Sequence, residues 1–223
     1  MKPIKIKKKQ GFSILAIILV IVAIVVAIGV WALSGQSNSS NSQSSSAELV
    51  ASTISNDSSS IKSRFDELVI AGANVERITF KPNVADSYNM LDTVNGLQQL
   101  RSPVNAIRAE SAIPEGIYVY NKTFKGNQIG SEKDDYAIVL SGVKASVCRK
   151  LNYVTYGSEN IPKLSSVASA IDAVANATAA DPNTAVSIDL TSLDNVQGWT
   201  MGCIATGSSD SDQNFFFRIV KPN

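Results

Sequence analysis

The feature that most constrains this chain is an apolar segment near its N-terminus. Phe12 to Leu33 are 22 residues, almost all Ile, Leu, Val and Ala, without a single charge. A helix of that length, at ~1.5 Å per residue, extends about 33 Å and could cross a bilayer core of ~30 Å. A buried helix of a soluble protein normally keeps a polar stripe, and this segment has none. The sequence therefore predicts a transmembrane helix over residues 12–34.

The charges on either side of the segment predict its orientation. Five lysines stand within the first nine residues, and the next charge after them is Glu48. Because basic residues stay on the cytoplasmic side, the N-terminus is predicted in the cytoplasm and the rest of the chain outside. A cleaved secretory signal peptide is the alternative, but its apolar core usually has only about 7–15 residues. The length here favours a segment that is retained.

Composition excludes several classes of chemistry. The chain has no histidine, which excludes Ser-His-Asp and Cys-His catalytic groups as well as histidine metal sites. Its 20 basic and 19 acidic residues nearly balance, so total charge gives no support for nucleic-acid binding. No glycine-rich phosphate loop or paired-carboxylate motif is present. We therefore predict a protein that is not an enzyme, needs no cofactor or metal, and has no nucleic-acid partner.

The residues around the start of the apolar segment form a recognisable pattern. The stretch KKKQGFSILAIILVIVAIVVAIG resembles the N-terminus of the type IV pilins and type II secretion pseudopilins. The resemblance implies a leader at residues 1–11, cut after Gly11 by a prepilin peptidase that also N-methylates the new terminus, Phe12. Members of that family usually have glutamate five residues into the mature chain, where this sequence has Ala16.

Two segments are expected between the membrane and the globular part. The stretch SGQSNSSNSQSSS has eight serines in thirteen residues, and we predict a flexible linker at 35–46. Apolar residues then recur at spacings near 3.6, which predicts an amphipathic helix over 47–72 ending at Gly72. The polar stretch SNDSSS inside it leaves open two shorter helices.

Residues 73–223 are predicted to form an extracytoplasmic α+β head. Runs rich in β-branched and aromatic residues predict strands at 75–80, 116–121, 136–142, 185–190, 199–205 and 214–220, and helices are predicted at 143–152 and 163–178. The predicted fold class is therefore α+β: an N-terminal transmembrane helix, then a globular head with an antiparallel sheet and a few helices. The stretch LSGVKASVCRKLN also resembles pilin heads, which implies a pilin-like arrangement.

The chain has two cysteines, Cys148 and Cys203. Both are predicted to lie outside the membrane, in an oxidising compartment where disulfides persist. We predict a disulfide between them, and two buried free thiols are the alternative. The acidic stretch SSDSDQN at 208–214 is interpreted as a solvated turn, not as a calcium site.

The resemblance implies a structural subunit, and the missing glutamate favours a minor one. It would belong to a type IV pilus or a type II secretion filament. Its partners would be other pilin subunits, the prepilin peptidase and the inner-membrane assembly platform. It would sit in the bacterial inner membrane with a periplasmic head, and reach a cell-surface filament after assembly. The alternative is a single-pass membrane protein whose periplasmic head binds a partner and which is neither cleaved nor polymerised.

Overall fold

The computed structural model describes only part of the chain, namely residues 39–81, 85–90, 102–103, 106–107, 116–131, 133–164, 183–184, 187–206 and 214–223. Residues 45–223 form one compact unit, and residues 39–44, the described part of the other unit, are helical. Several predictions lie outside this range. They are the leader with Gly11 and Phe12, the apolar segment 12–34, most of the predicted helix 163–178, and most of the acidic turn 208–214.

The first helix, α1, spans Ser39–Ile70 without interruption. It begins inside the predicted linker and continues through the serine-rich stretch that could have divided it. There the hydroxyls of Ser58, Ser59 and Ser60 each donate to a backbone carbonyl three or four residues earlier. Serine side chains are thus accommodated within the helix, and a buried face holds it on the sheet: Ala47, Val50, Ala51, Ile54, Ser58, Ile61 and Phe65.

Helix α1 ends just before a glycine with a left-handed backbone conformation. Gly72 adopts a φ of +89°, a left-handed conformation that other residues rarely take. The N–H of Gly72 bonds to the carbonyl of Val69, and that of Ala73 reaches back to Leu68. These two bonds form a Schellman motif, so the predicted stop at Gly72 matches the end of the observed helix.

Four strands form the centre of the main sheet. They are β3 (Val119–Lys125), β4 (Asp135–Ser141), β8 (Met201–Thr206) and β9 (Asn214–Lys221). All three pairings among them are antiparallel, in the spatial order β8-β9-β4-β3. Each begins and ends within four residues of a predicted strand, because a nearly continuous apolar run specifies a strand that is buried on both faces.

Short strands add to both edges of this sheet in the parallel direction. Strand β5 (Lys163–Leu164) pairs with β8, while β6 (Asn183–Thr184) and β7 (Ile188–Asp189) both pair with β3. A separate parallel pair joins β1 (Ile78–Thr79) to β2 (Tyr88–Asn89). The main sheet is therefore mixed.

The predicted fold class, a transmembrane helix followed by a pilin-like head with an antiparallel sheet, is wrong. The described residues form two α-helices and a mixed sheet instead. Among the helices of this part of the chain, none combines the length and hydrophobicity that crossing a membrane requires. The physical reason for the error in the sheet is that two-residue edge strands carry almost no periodic signal, so their parallel pairing is not visible in the sequence.

The run of three phenylalanines on β9 fills the core on both sides of the sheet. Phe216 points to the side covered by α1, while Phe215 and Phe217 point to the opposite side. There they contact a second apolar cluster that includes Leu164, Leu190 and Val196. All three rings are at most 1% exposed, so this run forms core on both faces of the strand.

One charged residue of β9 faces α1. The guanidinium of Arg218 donates to the hydroxyls of Ser58 and Ser59 at 3.2 and 2.9 Å, and lies 3.4 Å from the sulfur of Met201. Desolvation by burial lowers the pKa of Arg218, while the charge of Asp66 raises it. The serine-rich stretch of α1 therefore supplies polar contacts for a cation between helix and sheet.

We expect Arg218→Met to change the free energy of unfolding by less than about 1 kcal/mol, since the loss of two hydrogen bonds is offset by removal of a desolvated charge. Arg218→Ala also removes the packing of the long stem and should cost about 2 kcal/mol. Urea denaturation of both variants measures the difference. Equal losses for the two would contradict this interpretation.

Candidate functional site

The second helix, α2, lies against strand β8 and spans Ala145–Tyr156. It ends at Gly157, whose φ of 72° is left-handed and whose N–H bonds to the carbonyl of Tyr153. Residues four apart on a helix share one side. Cys148, Asn152 and Tyr156 follow that spacing, and each of them contacts β8.

The two predicted site residues of the head are brought together here. A disulfide joins Cys148 to Cys203, with their Cα atoms 5.2 Å apart. Both side chains are completely buried, between α2 and the sheet. The bond closes a loop that contains β5, β6 and β7 and fixes α2 at the sheet edge.

Asn152, one turn after Cys148, acts as a substitute for a neighbouring strand. Its side-chain carbonyl accepts from the N–H of Cys203 at 2.8 Å, and its amide donates to the carbonyl of the same residue at 2.9 Å. The amide donates also to the carbonyl of Asn160 at 2.8 Å. The fully buried amide of Asn152 thus forms hydrogen bonds with both backbone groups of Cys203 at the edge of β8, and it also holds the loop that follows α2.

Tyr156, a further turn along, covers the beginning of β8. Its hydroxyl donates to the carbonyl of Met201 at 2.6 Å, and its ring stacks on Trp199 with centroids 4.0 Å apart. Trp199 packs on Gly202, where an added Cβ would lie 2.7 Å from the indole. Gly202 therefore provides the space that the indole occupies.

Beyond Cys203, strand β5 bonds to the rest of this edge of β8. The N–H of Ala205 donates to the carbonyl of Pro162 at 2.8 Å, and β5 pairs with Ala205 and Thr206. The carbonyl of Met201, the N–H and carbonyl of Cys203 and the N–H of Ala205 thus all bond to residues 152–164. This arrangement can exclude another strand from the edge of β8.

A groove of about 370 Å³ runs between α1 and α2. Leu151 and Val154 give it an apolar side, and the α1 side carries mainly hydroxyl and amide groups. Large apolar side chains stand exposed on the same two helices: Leu49 at 70%, Val154 at 66% and Tyr153 at 53%. Apolar side chains exposed together on two helices suit contact with another protein surface.

A cluster of tyrosines is the strongest candidate for acid–base chemistry. The ring of Tyr120 stacks between Phe80 and Tyr136, with centroid distances of 5.1 and 6.1 Å. The hydroxyl of Tyr136 donates to Glu76. Burial raises the pKa of Tyr120, and burial with the neighbouring Glu76 raises the pKa of Tyr136 to about 12. Both hydroxyls therefore stay protonated, and the cluster serves as core.

The pKa values of two carboxyl groups are also shifted. Desolvation by burial raises the pKa of Asp57 on α1. Burial likewise raises the pKa of Asp135, although the N–H groups of Asn223 and Gly126, which bond to it at 3.0 and 3.1 Å, act in the opposite direction. Asp135 thereby links the β3–β4 turn to Asn223 beyond the end of β9. Its role is structural.

We expect the pKa of Asp57 to make stability depend on pH. Because the pKa of Asp57 in the folded protein lies above the unfolded value of 3.8, its protonation stabilises the fold. This contribution to the free energy of unfolding is complete below about pH 3.8 and is lost as the pH rises through the folded pKa. Asp57→Asn should therefore raise the free energy of unfolding at neutral pH and leave it unchanged below about pH 3.5. Urea denaturation at both pH values, with the exposed Asp194→Asn as control, measures this. An equal effect at both would contradict it.

The described residues contain no group of three His, Cys, Asp or Glu side chains placed to hold a metal ion. Sequence reasoning found the two cysteines and missed Asn152 and Tyr156. Their four-residue spacing after Cys148 was the available signal, but polar residues on a short helix are ordinarily solvent-facing.

No protein-family model matches this sequence, and no curated protein or solved structure was found to be similar to it.

Proposed function

We propose that this chain is a minor structural subunit of a type IV pilus or type II secretion filament. In this proposal the apolar segment holds the subunit in the inner membrane before assembly and lies in the filament core afterwards. The head contacts neighbouring subunits. Other pilin subunits, the prepilin peptidase and the inner-membrane assembly platform are its partners.

One observation carries the proposal: the basic leader KKKQG stands directly before Phe12 and an uncharged apolar run that extends to Leu33. A peptidase that cuts after the leader must approach the backbone closely, and glycine has no side chain to obstruct it. The fold of the head does not contribute to this proposal, because its mixed sheet differs from the expected one. The proposal therefore rests on the N-terminal sequence.

The surface of the head supports an interaction role. The exposed side chain of Val154 lines the groove between α1 and α2, and Leu49 and Tyr153 stand exposed on the same two helices. Their burial against a neighbour would remove apolar area from water at a gain of roughly 25 cal/mol per Å². Subunit packing uses that kind of surface, whereas an enzyme needs convergent polar groups in a cleft.

Ala16 supports a minor position within the filament. In the resembling family, the usual glutamate is thought to pair with the N-terminal amine of a neighbouring subunit in the apolar core, where an unpaired charge is costly. A subunit with Ala16 offers no carboxylate to its neighbour, although its own Phe12 amine can pair with another subunit's glutamate. Such a subunit suits the end of a filament better than its repeating body.

We expect Gly11→Leu to block leader removal while the protein still inserts into the membrane. The reason is that a branched side chain next to the scissile bond hinders the peptidase. Gly29→Leu is the matched control, since it places the same side chain within the apolar run and should be cut normally. Immunoblots of membrane fractions separate the two lengths. Processing of Gly11→Leu at the control rate would show that the proposed site is wrong.

The second candidate is a single-pass membrane protein with a periplasmic interaction domain, neither cleaved nor polymerised. Ala16 favours it too, because an apolar residue there makes a cleaner membrane anchor. Quantifying the protein in sheared, purified filaments distinguishes the candidates. Trace amounts that persist through purification support the minor subunit, dominance of the shaft contradicts the minor role, and complete absence supports the anchor.

A further inference from the structure

The outer edge of strand β8 is closed by one continuous segment, residues 145–164, which we call the edge cover. The cover consists of α2, the loop after it, and β5. Side chains of Asn152 and Tyr156 and the carbonyl of Pro162 bond to the backbone of β8 at residues 201, 203 and 205. The disulfide between Cys148 and Cys203 is the covalent link between cover and strand.

The strand beneath the cover has no protection of its own. Exposed edges are commonly guarded against pairing by charged residues, proline or a bulge. Strand β8 reads MGCIAT, with no charge and no proline, and it pairs with β9 without a register shift. An uncovered β8 would therefore present a regular, uncharged row of backbone donors and acceptors.

We propose that the edge cover is redox-controlled and that β8, once uncovered, pairs antiparallel with β8 of a second copy of this chain. An external dithiol supplies the two electrons. The disulfide is buried in the closed form, so α2 must first open locally; the thiolate then attacks the Cys148–Cys203 bond, a mixed disulfide forms, and the second thiol displaces the remaining cysteine. The products are two cysteine thiols and an oxidised dithiol, so atoms and electrons balance.

The geometry of β8 favours a second copy as the partner. Cys203 directs both its N–H and its carbonyl outward, as their bonds to Asn152 show. Two antiparallel copies centred on Cys203 would exchange both bonds at about 5.5 Å between Cα atoms, with Met201 opposite Ala205. The contact is self-complementary, as a two-fold interface requires. Small side chains at Cys203 and Ala205 leave room for the approach.

This inference does not depend on the proposed function, and the full chain in detergent tests it. One sample stays oxidised, and the other is reduced with dithiothreitol and alkylated. Light scattering should give the reduced protein twice the protein mass of the oxidised one. Hydrogen exchange at residues 201–205 should then slow as protein concentration rises, while strand β4 remains protected in both samples.

A pair of tyrosine variants separates edge pairing from other self-association. Tyr156→Phe removes the hydroxyl that bonds to Met201, so the reduced variant should dimerise about five-fold more tightly than reduced wild type. Tyr88→Phe removes the hydroxyl of an exposed tyrosine on β2, outside the edge cover, and should leave dimerisation unchanged.

Four results would overturn the proposal. They are an unchanged mass after reduction, a dimer whose residues 201–205 exchange freely, aggregates larger than a dimer, and loss of protection in β4. The last would mean that the sheet needs the disulfide to stay folded, which leaves no folded edge to pair.

Discussion

Replacing Asn152 with leucine is expected to lower the free energy of unfolding by about 4 kcal/mol, because a buried polar group left without its hydrogen bond costs about 1–3 kcal/mol. The variant leaves three backbone groups without their hydrogen-bond partner: the N–H and carbonyl of Cys203 and the carbonyl of Asn160. Leucine has the same number and branching of side-chain heavy atoms, so no cavity forms and the loss is polar. Urea denaturation with the disulfide intact measures it.

Two variants of the same helix serve as controls for Asn152→Leu. Asn152→Asp keeps an acceptor for the N–H of Cys203 but places a charge against two carbonyls, and it should cost at least as much. Ser146→Leu changes an exposed position of α2 and should remain within about 0.5 kcal/mol of wild type. If Asn152→Leu were equally mild, the hydrogen bonds at the edge of β8 would contribute little to stability.

Removing the disulfide should lower the free energy of unfolding by about as much as Asn152→Leu does. The double variant Cys148→Ser/Cys203→Ser opens a loop whose ends are 55 residues apart in sequence, and the chain-entropy relation gives about 4 kcal/mol for a loop of that length. Thermal unfolding should then begin at a clearly lower temperature. The double variant avoids an odd thiol, which would confuse the comparison by pairing with other molecules.

Thiol labelling of the denatured, unreduced wild-type chain is the control for the disulfide experiment. It should find fewer than one reactive thiol for every ten chains, set against the two per chain expected after reduction. Two reactive thiols without reduction would mean that the cysteines are free. A double variant as stable as wild type would show that the bond does not hold the cover on β8.

The parts of the fold that sequence predicted are those with repeated physical signals. Strands β4 and β9 and helix α2 each have an apolar pattern over seven or more residues, and Gly72 has the conformational freedom that a helix end requires. Residues 39–46 have no such pattern, since serine and asparagine favour turns and caps in isolation. Their inclusion in α1 was therefore not predictable from composition.

The errors concern features that depend on distant residues. Parallel pairing of Lys163 with Ala205, or of Asn183 with Tyr120, is decided by how the chain returns to the sheet, and two-residue strands leave no pattern. The role of Asn152 likewise needs the position of Cys203 on another element. The sequence placed both cysteines in the head, but not the edge that they close.

The N-terminus of the protein purified from its own membrane tests the account most directly. Mass spectrometry of the intact chain and of its first peptide should identify a mature protein that begins at Phe12, with one methyl group on its amine. That result would support a filament subunit processed after Gly11. A chain that still begins at Met1, or one cut after the apolar run that ends at Leu33, would contradict it.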